Sequence, residues 1–291
     1  MSVRGRRTGG VGPGRAVVTG AAHGLGSAIA ERLVARGMSV VVADLDLAAA
    51  ERVAARLGNA AEAHPLDVAD LDACRALASA APLAVWCNNA GILQTGPGWE
   101  LDERARRRLF DVNVHGVING TTAALEQMRP AGRGHILNVA SLAALTPAPS
   151  ETLYGATKHA ALAFSIGTQL DLIAAGERGI RVSAVCPDGM WTPMLHERAR
   201  DPDAWPSWSG TMLTAEEVAR VTVGLLDRPR MVRAVPRRRG LQLRLFAAHP
   251  DLAANLLPVV AALARRRQRR WADAHAFDVQ ASDGSPRADA R

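Results

Sequence analysis

The chain has 291 residues, 48% of them apolar and 22% charged, which suits a globular protein with one large domain or two small ones. No apolar run reaches the ~20 residues of a membrane span, and the N-terminus has no signal-peptide apolar core, so a cytoplasmic protein is expected. The net charge of +7 sits in the first fifteen residues and after Arg228, with a nearly balanced stretch between, which argues against nucleic-acid binding as the core function.

Residues 1–14 are rich in Gly and Arg without an apolar period and read as a mobile arm. Strand and helix signals then alternate. Strands are expected at Arg15–Thr19, Ser39–Ala43, Ala61–Leu66 and Leu83–Cys87, and helices at Leu25–Arg36, Leu47–Leu57 and Leu71–Ala80. A long helix follows near Asp102–Gln127, then a strand at His135–Val139, a helix at Thr152–Ala175 and a strand at Arg181–Val185. Thr214–Leu226 is a further helix and Met231–Val235 a last strand. Parallel strands need crossover helices, so the pattern predicts a doubly wound α/β fold, Rossmann-like, with helices on both faces. Three cysteines (Cys74, Cys87, Cys186) lack metal-ligand spacing and suit a reducing compartment; no metal site is expected.

The chain contains one tyrosine and one lysine, four residues apart in Tyr154-Gly155-Ala156-Thr157-Lys158. Positions i and i+4 are neighbours on a helix surface. An ammonium beside a phenol favours the phenolate and draws its pKa toward working pH. Lysine is a compact point charge that can also exchange protons, which arginine cannot do.

Between the first strand and first helix lies Thr19-Gly20-Ala21-Ala22-His23-Gly24-Leu25-Gly26. Glycines there let the backbone turn and approach a pyrophosphate at the helix N-terminus. Asp44, eighteen residues past Gly26, ends the second strand; a carboxylate there binds ribose hydroxyls and repels a 2′-phosphate. His23 is the counter-hint, since a basic side chain in this loop favours that phosphate. NAD is therefore expected in preference to NADP.

From Arg15 to Pro236 the chain resembles a short-chain dehydrogenase/reductase of the shorter, single-domain branch. Thr19–Gly26 matches the family's T-G-x-x-x-G-x-G loop, and Asp67-Val68 matches the pair that lies against the adenine in relatives. Asn88-Asn89-Ala90-Gly91 matches the N-N-A-G segment, and Asn113 the helix asparagine of the active site. Ser141 lies thirteen residues before Tyr154, the usual separation. The resemblance implies cofactor contacts at Gly20, His23, Gly24, Leu25, Gly26, Asp44, Asp67, Val68, Asn89, Ala90 and Gly91. Toward the nicotinamide it implies Tyr154, Lys158, Pro187, Gly189 and Thr192. One departure stands out: Cys186-Pro187-Asp188-Gly189-Met190-Trp191-Thr192 has aspartate where the family has glycine. Either the loop backbone and substrate selection change, or Asp188 adopts a left-handed conformation and nothing else does.

In the mechanism that the resemblance implies, Tyr154 exchanges a proton with an alcohol or ketone oxygen and Ser141 hydrogen-bonds that oxygen. Lys158 lowers the tyrosine pKa and bonds the nicotinamide ribose, and Asn113 holds a relay water. Residues 190–213 would be a lid. Ser141, Leu142, Met190 and Trp191, with nearby Leu145, Trp205 and Trp208, suggest an apolar slot for a hydrophobic secondary alcohol or ketone. Relatives imply a homo-oligomer, dimer or tetramer, through the long helices.

Beyond Pro236 a basic amphipathic extension, 237–277, carries leucines at helical spacing between arginine clusters. It could touch an anionic membrane through 237–271, pack on the sheet domain, or bind a partner subunit. Pro258 should break it, so one long straight helix is not expected. Residues 278–291 read as a disordered tail. A non-catalytic nucleotide-binding sensor or scaffold is the alternative from another class, and a sugar-nucleotide epimerase a third; the combined Ser141, Tyr154, Lys158 and Asn113 set argues against the former, and the glycine spacing against the latter.

Overall fold

The computed structural model describes residues 12–274; the rest of the expected arm and the tail from Asp278 lie outside the described residues. Seven parallel strands form one sheet: β1 (Arg15–Thr19), β2 (Ser39–Asp44), β3 (Ala61–Pro65), β4 (Leu83–Asn88), β5 (Gly134–Val139), β6 (Ile180–Pro187) and β7 (Val232–Val235). Their spatial order is β3-β2-β1-β4-β5-β6-β7. The fold is the doubly wound, Rossmann-like one expected.

The inner strands are mostly apolar because both of their faces are covered, whereas the edge strand β3, Ala61-Glu62-Ala63-His64-Pro65, is largely exposed. Alternate residues serve alternate faces. Ala16, Val18, Val40 and Val42 pack with Ile29 and Leu33 of α1 (Gly24–Ala35), Val53 of α2 (Leu47–Leu57) and Val218 of α8 (Ala215–Gly224). Val17, Val41 and Trp86 pack the other way, with Leu77 of α3 (Leu71–Ser79), Met128 of α5 (Gly116–Ala131) and Leu172 of α6 (Thr152–Ala174). Helix starts are fixed by side chains that accept from otherwise unpaired N–H groups: Asp46 for α2, Asp70 for α3 and Thr214 for α8.

Two features position the site. The strand order reverses at β1, whose neighbours β2 and β4 connect onward in opposite directions, so a crevice opens beyond the carboxyl ends of β1 and β4. A buried polar chain then ties that crevice to α6. Trp86 Nε1 donates to Asn88 Oδ1 at 2.7 Å, Asn88 Nδ2 to Asn138 Oδ1 at 2.9 Å, and Asn138 Nδ2 to the Ser165 hydroxyl at 2.8 Å.

The expected long helix is α4 (Glu103–Phe110) running through a π-helical turn, Asp111–His115, into α5. That widened turn carries Asn113, and such turns are frequent at functional sites. The 190–213 segment holds one short helix, α7 (Pro193–His196), and a 3-10 stretch, Pro202–Trp208.

The extension corrects one expectation. It forms α9 (Arg237–Ala248) and α10 (Pro250–Ala274), and the break falls at His249-Pro250, while α10 runs on through Pro258. Pro258 lies on the exposed side of α10, where the carbonyl it leaves unpaired can face solvent, so the helix tolerates it.

Candidate active site

The glycine loop is shaped by close approaches that a side chain would prevent. Gly20 has φ +61° and lies against the backbone of Ala90; a Cβ on Gly26 would sit 2.6 Å from Asn89 Nδ2. Asn89 Nδ2 donates to the carbonyls of Thr19 and Gly20 at 3.0 and 2.9 Å, and the Thr19 hydroxyl accepts from the N–H groups of Asn89 and Ala90. The N-N-A-G segment therefore clamps the loop from β4. Asp44 holds it from β2: Oδ2 accepts from Ala22 N–H at 2.9 Å and Oδ1 from Asp46 N–H at 3.1 Å.

The N-terminus of α1 is open. His23 is its cap residue, makes no side-chain cap hydrogen bond, and no acidic residue occupies the first turn. Unpaired N–H groups with a positive helix end beside a tight glycine turn fit an anionic diphosphate.

One cavity of about 710 Å³ runs from this loop to α6. Its wall includes Gly20, His23, Gly24, Leu25, Asp44, Asp67, Val68, Asn89, Ala90 and Gly91 at one end. Ser141, Tyr154, Lys158, Pro187, Gly189 and Thr192 line the other. Of the expected cofactor residues only Gly26 is absent from that wall, because it works behind the loop.

The side chains of Ser141 and Tyr154 face the same cavity, and the Ser141 hydroxyl, which accepts from Ala143 N–H at 3.1 Å, is close enough to the phenol to favour its ionised form. Lys158 is 4% exposed; its Nζ donates to the Val139 carbonyl at 3.2 Å and lies 5.7 Å from the Tyr154 ring centroid. Asn113 stands behind Gly91, fully buried: Oδ1 accepts from Ile92 N–H at 2.8 Å, and Nδ2 donates to the Ile92 carbonyl and the Thr157 hydroxyl. Gly91 leaves room for both polar ends, since a Cβ there would meet Asn113 Oδ1 and Lys158 Nζ at 3.2 Å.

These are features of a known family, and residues 15–203 match its model, short chain dehydrogenase. The chain belongs to the short-chain dehydrogenase family. It is 32% identical over 223 residues to the 2-keto-3-deoxy-L-fuconate dehydrogenase of Xanthomonas campestris pv. campestris, covering 72% of this chain and 73% of that one. It is 35% identical over 217 residues to the 1-deoxy-11-beta-hydroxypentalenate dehydrogenase of Streptomyces exfoliatus, covering 70% and 76%. A short-chain dehydrogenase/reductase from Burkholderia phymatum, solved in complex with NAD, superposes with a TM-score of 0.76 at 28% identity, over 84% of this chain and 97% of that one. The chain is accordingly an oxidoreductase that uses a nicotinamide cofactor.

The electrostatics of this dehydrogenase depart from the expected amine-driven tyrosine. Burial holds the Tyr154 phenol above its ordinary pKa, the Glu151 charge adds to that, and the neighbouring Ser141 hydroxyl pulls the other way. Lys158 is itself lowered to about 8, because burial penalises its ammonium. The amine is turned to a backbone carbonyl, and burial rather than its charge sets the direction in which the phenol moves.

Three substrate-side expectations are corrected. Trp191 does not line the cavity; it packs beside Trp208 (6.2 Å between ring centroids), and Trp208 lies 5.2 Å from Trp271 of α10. Leu145 and Trp208 are likewise core residues, while Leu142, Met190 and Trp205 do line the cavity. Asp188 does not adopt a left-handed backbone, since Ser150 is the one non-glycine residue with positive φ among those described. Instead its carboxylate accepts from Gly189 N–H at 3.0 Å and Thr211 N–H at 3.2 Å, and lies 3.8 Å from Arg239 of α9. The family glycine is replaced here by a tether between β6, the 190–213 segment and the extension.

Two contributors were missed. The extension forms one wall of the cavity, through Leu243, Phe246, Ala253, Leu257 and Val260. Glu151, the residue before α6, is 3% exposed in the same cavity. It accepts from the Ser207 hydroxyl at 2.7 Å rather than capping its own helix, and burial pushes it up to about 7.

Proposed function

We propose that this protein interconverts a hydrophobic secondary alcohol and the corresponding ketone, with Tyr154 as the acid and base. The observation that carries this reading is the Ser141 and Tyr154 pair side by side on the wall of a largely apolar cavity, with Lys158 beside them. Tyr154 gives its proton to the ketone oxygen, or takes one from the alcohol. A phenol kept protonated by burial is in the form that reduction requires. Ser141 donates to the same oxygen and stabilises charge developing there. Lys158, beside Gly91, is the next polar group that this proton can pass to, and Asn113 holds the Ile92 backbone and the Thr157 hydroxyl in place next to it.

A nicotinamide dinucleotide in this cavity supplies the hydride acceptor or donor. Gly20, Gly24 and the open end of α1 would hold its diphosphate, Asp67 and Val68 its adenine, and Pro187, Gly189 and Thr192 its nicotinamide end. Asp44 supports NAD over NADP, because its carboxylate ends β2 on the cavity wall where a 2′-phosphate would be repelled. The 190–213 segment acts as a lid, and the Leu142, Met190, Trp205 and Phe246 surfaces select an apolar substrate. The test is nicotinamide absorbance with a panel of hydrophobic and polyhydroxylated secondary alcohols and ketones, each with NAD and NADP. Turnover confined to polyols, or none with either cofactor, overturns the reading.

A further inference from the structure

Helices α9 and α10 have two apolar faces, and only one is covered. The inner faces carry Leu243 and Phe246 of α9 and Leu257 and Val260 of α10, which line the cavity. The outer faces carry Leu241 and Leu245 of α9 and Leu252, Leu256, Val259 and Leu263 of α10. These six side chains are 40% to 63% exposed. Their three- and four-residue spacings place each set on a single stripe. On α10 the same stripe continues into Arg266 and Arg270, both exposed. Contiguous exposed aliphatic residues of this extent mark a contact surface.

The charge around that surface selects its occupant. Residues 237–274 hold nine arginines and two aspartates. A second copy would bring a second excess of positive charge to the contact, whereas a sheet of anionic headgroups neutralises it. We propose that α9 and α10 seat this protein on an anionic phospholipid surface, leucines in the acyl boundary and arginines on the phosphates. No helix among the described residues is long and apolar enough to cross a membrane, so the contact is interfacial. Because the inner faces of the same helices wall the cavity, a water-insoluble substrate reaches Tyr154 from the lipid side. That last step rests on the oxidoreductase reading; the docking does not.

Flotation of the full chain with phosphatidylcholine vesicles, with and without phosphatidylglycerol, tests it. Binding is expected to the anionic vesicles and to fall with added salt. Two variants separate the components: Leu252→Gln/Leu256→Gln/Val259→Gln/Leu263→Gln, and Arg266→Glu/Arg270→Glu. Each should weaken binding by about tenfold or more, leaving helix content and turnover of a water-soluble alcohol unchanged. If the leucine variant misfolds, the arginine variant decides. Wild-type protein that ignores anionic vesicles, or variants that bind them undiminished, overturns the proposal. So does a dimer in sedimentation that the leucine variant dissociates without any vesicle binding, which would assign the face to a second copy.

Discussion

Glu151 Oε1 accepts a hydrogen bond from the Ser207 hydroxyl at 2.7 Å, joining the start of the Tyr154 helix to the 3-10 stretch Pro202–Trp208. Burial is the main reason this carboxyl is held up at about 7 instead of 4.5; Asp201 adds to the rise, and Arg198 and the Ser207 bonds oppose it. Between those two values the unfolded chain has lost the proton and the folded chain keeps it. The fold then binds more protons, so its stability is full below pH 4.5 and falls as the pH rises toward 7. Glu151→Gln keeps an oxygen for Ser207 and cannot ionise. Across that window the wild type should lose on the order of 3 kcal/mol relative to the variant. Denaturant unfolding over the pH range measures this, and parallel profiles for the two proteins would show that Glu151 is not buried as described.

Tyr154→Phe removes the hydroxyl that meets Ser141 and little else. Loss of a positioned acid or base costs about 10²- to 10⁴-fold in rate. A fall of that size in kcat, with cofactor affinity and thermal midpoint close to the wild type, is expected. Steady-state kinetics and cofactor titration check it, and turnover retained within a few-fold would remove Tyr154 from the chemistry.

The alternation was legible because the inner strands, buried on both faces, are written mostly in Val, Ala, Ile and Leu, with amphipathic repeats between them. The glycine loop and the Ser141, Tyr154 and Lys158 spacing were legible because each is local in sequence. What escaped depends on long-range packing. Glu151 looks like an ordinary helix-start glutamate; only Ser150 at φ +62° and the distant Ser207 turn it inward. The extension shows two apolar stripes, and its sequence cannot say which one meets the 190–213 segment. Asp188 could be flagged as out of pattern, but its purpose lies in Arg239, fifty-one residues on.

Lys158→Met separates stability from activity. Burial lowers the amine from 10.5 to about 8, so the folded state is penalised for carrying the ammonium at neutral pH. Between 8 and 10.5 the unfolded chain binds more protons, and wild-type stability rises with pH through that window. Methionine has similar length and no charge, although it leaves the Val139 carbonyl without its donor. A gain of about 1 to 3 kcal/mol at pH 7 is expected, together with a large loss of kcat/KM. Thermal unfolding and kinetics on the same preparation decide; a destabilised variant would mean that the amine anchors the fold.

Asp44→Ala acts on cofactor choice and on the loop together, because the carboxylate that would read the ribose also holds Ala22 N–H. Losing hydrogen bonds to a charged acceptor should cut kcat/KM with NAD roughly tenfold to hundredfold, with a smaller change for NADP. The ratio of the two constants is the measurement. An unchanged ratio alongside a lowered thermal midpoint would leave Asp44 with the loop alone.

Asp188 and Arg239 should be coupled, since each is the other's counter-charge where β6 meets α9. Asp188 is nearly buried and Arg239 about a quarter exposed, with side-chain exposures of 8% and 23%. Asp188→Ala removes the acceptor for Thr211 N–H and leaves a largely enclosed guanidinium without its partner. A loss of about 2 kcal/mol is expected, with a raised KM as the 190–213 segment and the extension loosen around the cavity. Arg239→Gln alone should cost less, and the double variant should recover part of the Asp188→Ala loss, because the stranded charge is gone. Unfolding free energies of the four proteins give the coupling. Additivity within about 0.5 kcal/mol would mean that the aspartate serves only its own loop, and the tether between strand and extension would have to be abandoned.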